Sequence, residues 1–273
     1  MTVVRAATTR RRQPGRQVPV ALAVPAGLGL LFLVLPLVGL LARTPWDSLP
    51  QRLVAPGVLT ALRLSVQTAT LATLLCLALG VPLAWLLARA QFPGRRIVRA
   101  LVTVPLVLPP VVGGVALLLV FGRRGLLGQW LDSTFGVTLP FTTTGVVLAE
   151  AFVAMPFLVI AVEGALRGAD SRYEEAAATL GAGRWTTFTK VTLPLIAPGV
   201  AAGAVLCWAR ALGEFGATIT FAGNYPGRTQ TMPLAVYLAL ETDLEAAIVL
   251  SLVLLTVSVA ILAGLRDRWI GSP

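Results

Sequence analysis

Histidine does not occur in these 273 residues, which removes the commonest general base and the commonest metal ligand together. Lysine occurs once, at Lys190, and the glycines that a phosphate-cradling loop needs do not precede it, so the chain cannot hold nucleotide phosphates in that way. Only two cysteines are present, Cys76 and Cys207. Both fall in apolar segments, where they read as small buried side chains, and no disulfide or redox chemistry is assigned to them. Acidic residues are sparse, 12 against 22 basic ones. No constellation of nucleophile, base and orienting group is left, so the chain is expected not to be an enzyme and to bind no metal or cofactor itself. Internal repeats at a fixed period are lacking, and the one low-complexity tract is an arginine-rich N-terminus.

Apolar surface is what the chain has in excess. Hydrophobic residues make up 56% and mean hydropathy is +0.84, more than the core of a soluble domain of this size uses. Several stretches run for about 20 residues with almost no charge, the length that crosses roughly 30 Å of hydrocarbon at the helical rise. Six membrane-spanning helices are predicted: Val18 to Ala42, Leu59 to Leu87, Ile97 to Phe121, Val146 to Leu166, Leu195 to Thr220 and Ala246 to Leu265. The first is longer than the apolar core of a cleaved signal and reads as an uncleaved helix. Proline and glycine recur inside spans, as at Pro105, Pro109, Pro110, Gly113 and Gly114, which is tolerated where neighbouring helices cover the freed backbone groups.

A net charge of +10 does not point to nucleic acid, because the basic residues form short clusters between apolar runs, without a continuous basic face or stacking aromatics. With the N-terminus inside, fifteen basic residues lie on the cytoplasmic side: Arg5, Arg10, Arg11, Arg12 and Arg16, then Arg89, Arg95, Arg96 and Arg99, then Arg167, Arg172, Arg184 and Lys190, then Arg266 and Arg268. Five lie outside, Arg43, Arg52, Arg123, Arg124 and Arg228, and Arg63 and Arg210 lie within or beside spans. The positive-inside rule therefore puts both termini in the cytoplasm. The expected organisation is a basic tail, first helix and outer loop over 1–57, one membrane domain over 58–265 with a cytoplasmic loop at 170–194, and a short tail at 266–273.

That cytoplasmic loop is polar but organised. Ser171 with Glu174 three residues on matches a capping box, and Tyr173, Ala176, Ala177 and Leu180 recur at helical spacing to form one small apolar stripe. Gly181 suits the left-handed residue that ends such a helix, and a second short helix carrying Trp185 and Phe188 is predicted to run until Pro194 stops it. Helices this short are marginal alone, so they either dock in a groove of a partner or rest on their own domain and the headgroups.

The residues Glu175-Ala176-Ala177, then Gly181, Val191 and Leu193-Pro194, at this spacing and with 92 residues following Gly181, resemble the EAA loop of binding-protein-dependent ABC importer permeases; Val191 stands where isoleucine is usual. The resemblance implies the all-helical, six-span, type I importer transmembrane domain, working as a homodimer in the bacterial cell membrane with two ATP-binding cassette subunits and an extracytoplasmic binding protein. It also implies that Glu175, Ala176, Ala177, Gly181, Leu193 and Pro194 form a coupling helix pair seated in the ATPase, and that ATP and magnesium are bound by that partner.

From about Gly57 onward, the segments Pro105-Leu-Val-Leu-Pro-Pro-Val-Val-Gly113, Gly122-Arg-Arg-Gly125, Leu180-Gly-Ala-Gly-Arg-Trp185, Ala209-Arg-Ala-Leu-Gly-Glu-Phe-Gly-Ala-Thr-Ile-Thr-Phe-Ala-Gly-Asn224 and Pro226-Gly-Arg-Thr-Gln-Thr-Met-Pro233 resemble molybdate permeases. Sulfate permeases share a looser version, and tungstate has the shape and charge of molybdate. Hydroxyls and backbone N–H groups can pass a tetrahedral oxyanion without trapping it, a task that fits Thr218 and Thr220; threonines in membrane helices also commonly bond the carbonyl one turn back. Arg210 and Glu214, four residues apart in the fifth span, form either a self-neutralising pair that fixes packing or a gate that attracts the anion and then releases it. Glu150, Glu163 and Glu214 are the only acids in the predicted spans, fewer than an ion-gradient-driven transporter with inverted repeats would be expected to show.

Overall fold

The computed structural model describes residues 20–269; the arginines from Arg5 to Arg16 and the predicted start of the first span at Val18 lie outside them. All regular structure among the described residues is helical. The chain divides into two units, one ending at Arg43 and one beginning at Thr44. In the first, α1 (Val20–Ala42) is apolar around its whole circumference and long enough to cross a membrane, with Pro25 and Pro36 inside it.

The second unit holds the remaining helices: α2 (Leu49–Leu53), α3 (Pro56–Arg89), α4 (Arg95–Val107), α5 (Pro110–Phe121), α6 (Gly128–Phe135), α7 (Thr143–Gly168), α8 (Arg172–Thr179), α9 (Arg184–Thr187), a π-helical turn (Phe188–Thr192), α10 (Leu193–Leu212), α11 (Gly216–Phe221), α12 (Met232–Thr242) and α13 (Leu244–Trp269). Five helices are long and apolar enough to span, and a sixth span is made if α4 and α5 are taken together. The protein is thus an all-helical, multi-pass membrane protein.

Helices α3, α7 and α10 form the core. At 34 residues α3 is about 51 Å long, more than the hydrocarbon thickness. Half of the buried side chains where the three helices meet are small: Ala69, Ala72, Cys76 and Ala84 on α3, Ala151 and Ala154 on α7, Cys207 and Ala211 on α10. Lipid tails are as apolar as leucine, so the backbones gain from approaching closely rather than from burial alone. The two cysteines are among these fillers; Cys76 donates to the Ala151 carbonyl at 3.5 Å. At the end of α3, Arg95 donates to the carbonyls of Leu87 (2.7 Å) and Ala88 (3.2 Å), and Arg99 to that of Leu87 (3.2 Å), which satisfies acceptors that a helix terminus leaves open. Arg99 also pairs with Glu163 at 2.6 Å, and Arg167 meets the same carboxylate at 2.8 Å.

Two predicted spans are corrected. The third, expected as one helix from Ile97 to Phe121, breaks after Val107 and turns by 118°. The cause is local: a residue before proline is pushed out of the helical region, and both Leu108 (ψ 129°) and Pro109 (ψ 131°) precede one and are extended. The fifth, expected to run unbroken to Thr220, ends at Leu212 and restarts as α11. A short apolar helix, α12, was not expected; its N-terminus is pinned to α3 where the Met232 N–H donates to Ser65 Oγ at 2.7 Å. After α12 the chain breaks at Asp243, whose Oδ1 accepts the Ala246 N–H (3.0 Å) to start α13, while Arg52 bridges Asp243 (2.8 Å) and Glu245 (2.7 Å). That last helix extends past the predicted boundary at Leu265 to Trp269.

Candidate functional site

Two clusters contain the residues singled out from the sequence. The first is the helix pair between α7 and α10. Ser171 and Glu174 do not form the expected capping box: Ser171 has helical backbone angles (φ −67°, ψ −16°), so its hydroxyl does not reach the first-turn N–H groups. It bonds instead to Glu175 Oε1 (3.3 Å), and Asp170 Oδ1 accepts the Arg172 N–H (3.0 Å). Glu174 turns the other way and accepts from Arg89 Nη2 on α3 and from Thr192 Oγ1 in the π-helical turn, each at 3.1 Å. The far end is as predicted. Gly181 has φ +82°, its N–H reaches the Ala178 carbonyl and that of Ala182 the Ala177 carbonyl, both at 3.0 Å, which is the Schellman closure.

The expected apolar stripe is formed but uncovered. No residue of α8 is buried; Tyr173 is 59% and Leu180 88% exposed, Glu175 and Ala176 are exposed, and Ala177 is half-buried. Trp185 is 75% exposed, whereas Phe188 lies edge-on to Trp85 of α3 with centroids 6.3 Å apart. Pro194 does not stop the second helix. The Leu193 N–H bonds to the Phe188 carbonyl five residues back, and through this π-helical turn the chain passes Pro194, which has no N–H to donate, so that helix continues from Arg184 to Leu212. Leu193 and Pro194 therefore sit in the first turn of α10, not at a boundary. Behind α8 lies a cavity of about 590 Å³ whose lining includes Arg89, Glu174, Phe188 and Thr192.

The second cluster surrounds the break between α10 and α11. Arg210, in the last turn of α10, pairs with Glu214 at 2.5 Å, but Glu214 lies beyond the helix end, so the pair spans the break rather than riding one continuous helix. Glu214 is 1% exposed, and its other oxygen accepts the Ala217 N–H at 2.8 Å, supplying the start of α11 with a side-chain acceptor. Thr220 takes the common alternative and donates to the Gly216 carbonyl (2.5 Å), whereas Thr218 Oγ1 is buried with no hydrogen-bond partner. Close backbone approach holds α11 on α5: a Cβ at Gly114 would stand 2.6 Å from Thr220 Cβ and 2.9 Å from the Ala217 carbonyl oxygen, and one at Gly216 would stand 2.8 Å from Pro110 Cβ.

Sequence reasoning missed the partners that come from elsewhere in the chain. Glu150 on α7, 1% exposed, accepts from Thr68 of α3 at 2.8 Å and leaves its second oxygen without a partner. Arg89 and Thr192, which meet on Glu174, were likewise not singled out as a pair. Among the described residues no cluster of three or more acidic or cysteine side chains is arranged to hold a metal.

The chain is similar to proteins of known role. It is 48% identical over 255 residues to the molybdenum transport system permease protein of Mycobacterium tuberculosis, covering 93% of this chain and 96% of that one. It is 37% identical over 265 residues to the sulfate transport system permease protein of Escherichia coli, covering 94% and 93%. Its fold, that of a type I ABC importer transmembrane domain, matches the crystal structure of a bacterial ABC transporter that imports the acidic polysaccharide alginate, with TM-score 0.74 over 91% of this chain and 93% of that one at 18% identity. Residues 80–272 match the model of the binding-protein-dependent transport system inner membrane component, and this chain belongs to that family.

Proposed function

We propose that this chain is the permease subunit of an ABC importer that moves molybdate inward across a bacterial plasma membrane, with tungstate an equivalent cargo. The observation that carries the proposal is the near-full-length identity to a molybdenum permease, well above that to the sulfate permease. In this reading the chain hydrolyses nothing. Two copies line the pathway, a loaded binding protein docks outside, and two ATP-binding cassette subunits holding ATP and magnesium close inside. The helix pair α8 and α9 is the part the ATPase grips: α8 has no buried residue and offers Tyr173, Glu175, Ala176 and Leu180 outward, as expected of a helix whose covering surface belongs to another protein. Each ligand then shifts the inward-open and outward-open populations only by its differential affinity for them.

Arg210, Glu214, Thr218 and Thr220 stand at the pathway or its gate. The pair lies at a break in a helix, where a small rotation re-aims both charges, and the free hydroxyl of Thr218 is a donor with nothing else to bond. Uptake into vesicles containing the whole complex tests the cargo: molybdate accumulation should need ATP and fall with added tungstate but not with equal sulfate. Equal competition by sulfate would transfer the assignment to sulfate. For the gate, Glu214→Gln should assemble normally yet change the uptake rate; unchanged uptake at normal expression would leave the pair a packing device only.

A further inference from the structure

We infer that Glu174 is the positioning residue through which movement of α8 reaches the membrane helices, an assignment that rests on α8 being the ATPase-gripped element. Among the described residues α8 makes no other side-chain hydrogen bond to another helix. The remaining side-chain hydrogen bonds of residues 170–179 stay within that segment: Ser171 to Glu175, Asp170 to Arg172, and Thr179 to the Ala176 carbonyl. Apolar packing does not substitute for them, since α8 buries no residue and a cavity of about 590 Å³ lies behind it. An eight-residue helix is too short to hold its position unaided.

Glu174 is placed for transmission because its two partners lead into different membrane helices of the core, α3 and α10. Arg89 is the last residue of α3, and Thr192 closes the π-helical turn leading into α10. One carboxylate oxygen, Oε1, accepts from both at 3.1 Å. The side chains of the arginine and the glutamate are about one fifth exposed, so the pair is shielded enough for the bond to resist strain. Adjacent residues on a helix point about 100° apart, which separates two neighbouring acids by task. Glu175 faces outward toward a partner, and Glu174 faces its own subunit.

The test is molybdate accumulated per ATP hydrolysed in proteoliposomes holding the complete complex. Glu174→Ala and Arg89→Ala should each keep ATP hydrolysis and lower that ratio about tenfold, the scale of a hydrogen bond to a charged group. The charge exchange Arg89→Glu with Glu174→Arg should recover most of the loss, and ATP hydrolysis retained in the alanine variants separates lost transmission from a merely structural defect. With Ala176→Cys added, cross-linking to the ATPase should proceed with the same yield in all of these variants. An unchanged ratio in both alanine variants overturns the inference. So does disassembly of Glu174→Ala combined with an unchanged ratio in Glu174→Gln, which would make the residue a folding contact. Failure of the otherwise unsubstituted complex to cross-link would instead sink the docking of α8. Accumulation of a different oxyanion would touch only the cargo, and the ratio is then read with that anion.

Discussion

The loop pair α8 and α9 and the crossing of α5 with α11 are opposite solutions to joining short helices. At the crossing, glycine lets backbones touch, Phe221 and Ala217 are buried, and the charge of Arg210 is met by a fully buried glutamate. At the loop pair nothing on α8 is buried, and among the described residues a single carboxylate makes all of its side-chain hydrogen bonds to other helices. The first arrangement is closely packed, backbone against backbone, whereas in the second α9 is continuous with α10 and α8 can swing until one polar tie is strained. Close packing resists graded deformation, so of the two regions the weakly packed one is the one that moves more readily.

The largest expected effect that sharpens this contrast is at Glu214. Replacing it by alanine leaves Arg210 without its counter-charge at membrane depth and should destabilise the purified complex by about 3 kcal/mol, read as a fall in melting temperature. The double variant with Arg210→Ala should recover part of that loss, and no recovery would mean that the N–H contact to Ala217 carries the stability instead. Next comes Gly114→Val, which inserts atoms against Thr220 and the Ala217 carbonyl and should cost about 1–3 kcal/mol. Gly164→Ala on α7 meets nothing within 4 Å and should leave stability unchanged. Equal tolerance of both would break the claim that the crossing is tight.

The smallest effect lies outside the membrane, at Arg52 and Asp243. The hydrogen bond from Arg52, helped by the Ala246 N–H, holds the Asp243 carboxyl below the usual aspartate range. A depressed value means that the tie contributes above that range and is lost as pH falls through the lowered folded value. The stability difference between the unsubstituted protein and Arg52→Gln should therefore be present at neutral pH and shrink in acid below the usual aspartate range. A difference that persists there would assign it to packing of the arginine stem.

Much of this was legible in the chain itself. Apolar length located the spans because each must satisfy its own backbone in lipid, and Gly181 was readable because a left-handed helix end favours a residue without Cβ. The spacing of Arg210 and Glu214 disclosed the pair, but not that a helix ends between them. What stayed hidden depended on distant residues. The bond from Thr68 to Glu150 joins positions 82 apart, and Glu174 looked like half of a capping box until Arg89, 85 residues away, claimed it. The turn between α4 and α5 was signalled by Pro109 and Pro110, but its 118° is not a local property. Eleven residues of α12 were too few to register as a span.

The π-helical turn has a mechanical meaning. By carrying helix past Pro194 it fuses the loop segment from Arg184 to the membrane segment ending at Leu212, a single rod of 29 residues and about 43 Å. Tilting such a rod by about 10° about one tip sweeps the other through about 7 Å. A modest push at the Arg184 tip thus arrives, undivided, beside Arg210.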